Sequence, residues 1–409
     1  MKANRWLIAL AGVLMQIALG AVYAWSVFRI PLTKAYGWTI SQVTITFEIA
    51  ILVLGFAAFV GGLWMRKAGP RTIAITSAVL YGGGTALAGL ATNLTALYLT
   101  YGLIAGAGLG LGYIVPIATL IKWFPDKRGM ITGIAVAGFG AGALITAPVA
   151  QALIRSRGVS TTFEVLGIAY LIIVLLAGLA MRNPAPGYRP AGYTPTASAK
   201  ARSAEDFTLL QALSRWQWYA LWLILFLNVT AGISIISQAA PMAQEISHVS
   251  AATAAGLVGL ISIANGSGRF LWAWLSDAIG RRTVFLIMFA VQAVAFFMLT
   301  QVQHFGPLAF FAFVILLCYG GGFGTMPAFA ADFFGSRDVG SIYGLMLTAW
   351  GFAALFGPTI IAQVRESTGR YAGAMQIMAV VMIVSIVVPL VVRPPRPLVE
   401  RELDTAVRT

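Results

Sequence analysis

A lone arginine inside an apolar stretch is the residue that most needs a reason in this chain. Arg269 lies eight residues before Asp277, the next charged side chain, which at about 1.5 Å per helical residue is roughly 12 Å. A guanidinium keeps its proton, and unpaired within a membrane it costs about 3 kcal/mol. The nearest polar residue on its helical face is Asn265, one turn away. Three roles are open to Arg269: snorkelling to the surface, a structural bond to carbonyls or another helix, or holding the carboxylate of a substrate. The planar fork of five donors suits the last of these. Glu48 is the second such residue, a carboxylate about seven residues inside an apolar run. A proton relay is open to it, as are pairing with a loop cation and snorkelling. Metal and thiol chemistry have little to work with. Cys318 is alone, which rules out an intramolecular disulfide or a cysteine cluster, and His248 and His304 are too few for a zinc site.

The elements that must position these residues are membrane helices. Of 409 residues, 59% are apolar and 10% charged, against about 25% charged in a soluble domain. Residues 72–121 and 283–331 contain no Asp, Glu, Lys or Arg. Each run is about twice the ~20 residues of a spanning helix, so each reads as a hairpin. Alternating strands are absent, and lipid leaves only helices or closed barrels to choose from. The reading is an all-α membrane protein with spans at 6–28, 41–64, 72–91, 95–121, 129–154, 163–181, 216–238, 250–275, 283–303, 305–331, 340–364 and 371–392. The N-terminal apolar run is too long for a signal peptide and reads as an uncleaved first helix.

Charge then sets orientation. With the N-terminus inside, 20 of the 27 Lys and Arg fall on the cytoplasmic side, six fall opposite, and Arg269 lies within a span. This bias predicts both termini in the cytoplasm and placement in the inner membrane. It also accounts for the net charge of +14 without invoking nucleic acid. Residues 182–215, with Pro184, Pro186, Pro190 and Pro195, read as a cytoplasmic linker carrying a short surface helix near 205–212. The domains are then an N-terminal half (1–181), a C-terminal half (216–392) and a cytoplasmic tail (393–409).

The halves repeat one another. Gly69-Pro70-Arg71-Thr72 matches Gly280-Arg281-Arg282-Thr283, Gly129 and Gly133 match Gly340 and Gly344, and Phe139-Gly140 matches Trp350-Gly351. All three share an offset of 211. A tandem duplication in one membrane orientation gives a pseudo-two-fold along the membrane normal, with a site between the halves at mid-depth. The run Gly138-Phe139-Gly140-Ala141-Gly142-Ala143 mimics a dinucleotide fingerprint, but it sits inside an apolar span with no strand before it. Small residues there, in span 4 and in span 10 point to close helix packing. No ATP-binding loop is present, which excludes primary transport by this chain. A membrane enzyme would need a cluster of His, Asp or Cys at one face, and a sensor would need an output domain.

The loop Trp274-Leu275-Ser276-Asp277-Ala278-Ile279-Gly280-Arg281-Arg282 resembles the signature of the major facilitator superfamily. The first-half copy, Gly61 to Arg71, carries Arg66 where that family usually has an acid. Three further motifs resemble the oxalate/formate antiporter family and the monocarboxylate transporters: Gly20-Ala21-Val22-Tyr23-Ala24-Trp25-Ser26, Lys122 to Gly129, and Asn265-Gly266-Ser267-Gly268-Arg269. The resemblance extends over nearly the whole chain and includes bacterial lactate transporters. It implies a twelve-helix carrier in which Arg269 faces the substrate and Tyr23, Tyr113, Phe139, Tyr319, Phe323 and Trp350 line the cavity. It also implies a gating role for Asp277, Gly280, Arg281 and Arg282. Where animal relatives carry an Asp this chain has Asn265, and Val27 replaces their span-1 lysine. In the oxalate carriers a span-11 lysine opposes the arginine. The alignment from Tyr343-Gly344 to Phe356-Gly357 puts Trp350 there. The expectation is a proton-coupled symporter of small monocarboxylates such as lactate or pyruvate, with an oxalate/formate-type exchanger as the alternative. No cofactor and no enzymatic activity are expected. The expected partners are a small organic anion, protons and the lipid bilayer, with a monomer as the working unit.

Overall fold

The computed structural model describes residues 4–124, 128–185, 188, 190, 207–335 and 338–395. The Arg66 side chain, Pro125–Lys127, most of the linker and the tail from 396 lie outside the described residues. Among the described residues every regular element is helical. The first pass combines α1 (Arg5–Gly20), a 3-10 turn (Ala21–Ala24) and α2 (Ser26–Tyr36). Helix α3 (Ile40–Ala88) bends at Gly69 and supplies passes two and three. The fourth is α4 (Leu94–Leu97), a π-helical stretch (Tyr98–Ala105) and α5 (Gly106–Trp123). Helix α6 (Arg128–Ala180) bends at Gly158 and makes the fifth and sixth.

After the linker, α7 (Leu209–Leu213) is a short helix with a capping box at Thr208. It corresponds to the surface helix read near 205–212. Passes seven to ten are α8 (Trp216–Ser247), α9 (Ala251–Ile279), α10 (Arg281–Leu299) and α11 (Phe305–Phe334). The eleventh is α12 (Val339–Met346) with α13 (Thr348–Thr368), and the twelfth α14 (Ala372–Ser385) with α15 (Val387–Val391). Leu90, Leu176, Phe270 and Val384 are each more than 60% exposed. An outer surface of that kind is one that lipid, not water, covers.

The first and seventh passes run furthest beyond their sequence-based spans. The first continues to Tyr36 and the seventh to Ser247. Arg29, which falls just past the sequence-based first span, therefore lies within α2 and is 2% exposed. Glu245 lies within α8. A hydropathy reading ends a helix at its last apolar residue, whereas here the helix continues through polar residues that pair with one another.

The duplication is visible in the backbone. Left-handed conformations occur at Gly37 and His248, at Gly69 and Gly280, and at Gly158 and Gly369. Each pair is separated by 211 residues. A positive φ is strained for any side chain, so the recurrence at His248, a non-glycine residue, marks a turn inherited from the repeat. The halves meet at two equivalent crossings. Gly140 in span 5 lies against Gly266 in span 8, where an added Cβ would sit 2.9 Å from the Gly266 Cα. Gly351 in span 11 lies against Leu52 and Gly55 in span 2. Gly55 and Gly266, like Gly140 and Gly351, are 211 apart.

Side-chain hydrogen bonds between the halves are one-sided among the described residues. They are Tyr23–Tyr319 at mid-depth, and then Thr359–Glu48, Gln238–Thr44, Ser41–Glu366 and the contacts of Arg29. The last four lie toward the end of the bundle away from the linker, here called the far side. On the linker side, a Cβ added at Gly133 or Gly344 would meet nothing within 4 Å. Among the described residues the side-chain ties between the halves are thus found at mid-depth and on the far side.

Candidate functional site: an arginine in an aromatic box

Arg269 is held at mid-depth by close backbone packing. Gly324 of span 10 lies so near the Arg269 carbonyl that a Cβ would collide with it, and Gly320 bears the same relation to the Asn265 carbonyl. Small residues allow this approach, and it fixes one turn of span 8 bearing both polar side chains. The Arg269 side chain is 2% exposed. Its Nε donates to Asn265 Oδ1 at 3.3 Å. Its guanidinium carbon stands 4.8 Å from the centre of the Phe323 ring, a cation–π contact.

Around it the six aromatics named from the resemblance form one cluster. Trp350 packs against Phe323 at 4.9 Å, Phe139 at 5.6 Å, Tyr113 at 5.6 Å and Tyr23 at 6.2 Å between ring centres. Tyr23 meets Phe139, and Tyr319 meets Phe323. The Tyr23 and Tyr319 hydroxyls share a 2.8 Å hydrogen bond across the halves. Local breaks aim two of these side chains inward. Tyr23 sits in the 3-10 turn that interrupts span 1, and Trp350 follows the break between α12 and α13. The glycines of span 5 seat Phe139: Gly142 packs on Gly20 and Ile17 of span 1, while Gly140 faces Gly266 and Arg269 on the other side.

The hydrogen-bond balance of this cluster is lopsided. Arg269 Nη1 and Nη2, Asn265 Nδ2 and Trp350 Nε1 are all buried without a partner among the described residues. All four are donors. The Asn265 orientation follows from the Arg269 bond, since only its oxygen can accept from Nε. The Tyr113 hydroxyl lies near the guanidinium without a hydrogen bond of ordinary geometry to either terminal nitrogen. No ion pair engages Arg269 among the described residues. Buried donors are ordinarily satisfied; among the described residues no carboxylate pairs with this set.

Other predicted residues fall elsewhere. Glu48 is 4% exposed, on the far side. It accepts a 2.5 Å hydrogen bond from Thr359, and the loop cation that was one of its three open readings does not pair with it among the described residues. Arg281 pairs with Asp277 at 2.5 Å and with Asp332 of span 10 at 3.3 Å, following the left-handed turn at Gly280. Arg282 donates to the Leu390 carbonyl. These contacts join parts of the second half only. Sequence reasoning missed Tyr343, within electrostatic reach of Arg269 and Tyr113. It lies seven residues before Trp350, two helical turns along the same face, and that spacing was the available signal.

The sequence profile of the Major Facilitator Superfamily matches residues 8–269 and 221–407. The chain belongs to the Major Facilitator Superfamily. It is a multi-pass membrane transporter, and its family is one of transporters rather than enzymes. It is 27% identical over 369 residues to the oxalate:formate antiporter of Oxalobacter formigenes, covering 90% of this chain and 86% of that one. It is 25% identical to apicoplast pyruvate carrier 1 of Toxoplasma gondii, covering 87% and 84%. A bacterial homologue of the human lysosomal transporter Spinster shares the fold, with a TM-score of 0.70, 14% identity and 96% coverage of both chains.

Proposed function

We propose that this transporter carries small monocarboxylates of the lactate and pyruvate kind, together with a proton, by alternating access. The reading rests on the four buried donors around Arg269 that make no hydrogen bond of ordinary geometry among the described residues. A carboxylate supplies two acceptor oxygens and one negative charge, which is what the guanidinium needs in a water-poor aromatic box. Arg269 holds the carboxylate, and Asn265 fixes the arginine's plane. The Tyr23, Tyr113 and Tyr319 hydroxyls address a substrate hydroxyl or carbonyl. Phe139, Phe323 and Trp350 enclose its apolar end.

A single cation loaded with a single anion approaches neutrality, so the loaded form crosses between states at lower electrostatic cost. Accumulation then requires a driving ion. Glu48, a buried carboxyl without an ion pair among the described residues, takes up the proton in this reading. In this reading the protein lies in the inner membrane with the linker side cytoplasmic, and acts as a monomer.

The likeness to the oxalate:formate antiporter favours a second reading, exchange of oxalate for formate. One experiment separates the two. Purified protein in liposomes is given labelled lactate, pyruvate, formate or oxalate at two external pH values. Monocarboxylate uptake that rises at the lower pH supports symport. Oxalate uptake that depends on internal formate and ignores pH overturns it.

A further inference from the structure

On the far side a second arginine is buried without an aromatic box. Arg29, from the first half, is 2% exposed. Its Nη1 donates to Gln238 at 2.8 Å and to the Tyr371 hydroxyl at 3.3 Å, and its Nη2 donates to Glu245 Oε1. Arg365 Nε donates to the other oxygen, Glu245 Oε2, at 2.6 Å, and the Tyr371 hydroxyl donates to it at 3.0 Å. The Glu245 carboxylate therefore lies between two arginines, one from each half, with each oxygen held separately. Arg29 Nε has no partner among the described residues.

The cluster opens outward. A cavity of about 550 Å³ is lined by Arg29, Lys34, Glu245, Arg365 and Glu366 among others. Three cations against two carboxylates make it a net attractor of anions, with ample room for a three-carbon acid. Beyond the cluster, Gln238 bonds Thr44 across the halves, and at mid-depth Tyr23 bonds Tyr319.

We infer that the place filled by the Glu245 carboxylate is an antechamber site for a small substrate carboxylate, which on arrival from the far side exchanges with Glu245 between Arg29 and Arg365. The chemistry is that of the resident group: one carboxylate, two oxygens and the same donors. Exchange also avoids the penalty of simply breaking the pair, because a buried arginine left unpaired is strongly unfavourable. The arriving anion keeps Arg29 satisfied while Glu245, 23% exposed, swings into the cavity. While the anion is held by both arginines it bridges the halves as Glu245 did; the far side parts when that anion leaves the place before Glu245 returns. The inference rests on the monocarboxylate reading above.

The test reads access, not transport. In a Cys318→Ser background, Ile236→Cys places a thiol in the small cavity it lines with Tyr23 and Asn265. A membrane-impermeant maleimide is applied from the far side. Glu245→Ala should raise the labelling rate roughly tenfold or more. Millimolar acetate should then slow labelling by filling the vacated carboxylate place, and chloride at equal concentration should not. The acetate effect should persist in Glu245→Ala/Arg269→Gln, which excludes binding at the central arginine as its cause. Ser262→Cys, lining the same cavity, serves if Ile236→Cys does not assemble. Labelling of Glu245→Ala at the parent rate, or an acetate effect no greater than that of chloride, overturns the inference. Unimpaired uptake by Arg269→Gln overturns only the central site, so the two failures are distinguishable.

Discussion

At Arg269 a single side chain concentrates both cost and purpose. Its terminal nitrogens make no hydrogen bond of ordinary geometry among the described residues, and a charge-assisted bidentate pair with substrate would relieve that deficit. Arg269→Gln should insert and fold yet lose uptake by roughly 100-fold at low substrate, the equivalent of about 3 kcal/mol. Arg269→Lys should do nearly as badly, since a point charge lacks the fork. Uptake assays on protein normalised for membrane content check both. Trp350 sets the second residue-scale outcome. Its ring packs on Phe323, Phe139 and Tyr113, so a second carboxylate would be desolvated there against apolar carbon at a cost of several kcal/mol. Oxalate should compete poorly with labelled lactate. Trp350→Lys should weaken lactate uptake and admit a dicarboxylate. Oxalate outcompeting lactate on the unaltered protein would refute this.

Among elements, the contact of span 8 with span 10 decides whether the arginine is placed at all. Gly320 and Gly324 lie against the Asn265 and Arg269 carbonyls, and Gly268 lies against the Leu317 carbonyl. A methyl group at any of these meets backbone, which cannot turn aside as a side chain can. Gly324→Ala should therefore cost about 2 kcal/mol and shift Arg269 out of register. The measurable result is a lowered unfolding temperature together with a raised half-saturation for lactate. Gly133→Ala is the matched control, because nothing lies within 4 Å of its Cβ. It should leave both quantities near normal, and equal damage from the two would dismiss the packing argument.

For the whole molecule, the paired crossings Gly140–Gly266 and Gly351–Gly55 relate the halves by the repeat, and among the described residues the polar ties beyond mid-depth lie on the far side of them. A two-state rocking about such crossings needs a difference in free energy between loaded and empty forms. In the symport reading a proton supplies it. Uptake should rise as external pH falls, because the inward proton gradient grows, and should collapse when a protonophore removes the gradient. Glu48→Gln should abolish the pH response while sparing exchange of labelled for unlabelled substrate. A Glu48→Gln protein with an unchanged pH response would place the coupling elsewhere.

Hydropathy and charge determined most of the fold without any coordinates. Runs as long as 72–121 have no soluble solution, and the 211-residue offset fixes a two-fold repeat. Arg269 was also legible alone, because an ionisable residue in an apolar span is rare enough to demand a reason. The assembly of Tyr23, Tyr113, Phe139, Tyr319, Phe323 and Trp350 into one cluster was not. Five spans contribute, and helical periodicity says which residues share a face but not which faces meet. Arg29 and Glu245 were hidden for the opposite cause. Their charge reads as a loop, and only the tertiary contact, which buries Arg29 against its partners across the halves, turns two apparent surface residues into an internal tie. Composition records how much polarity a chain carries; where that polarity is satisfied depends on distances between segments that the chain order does not contain.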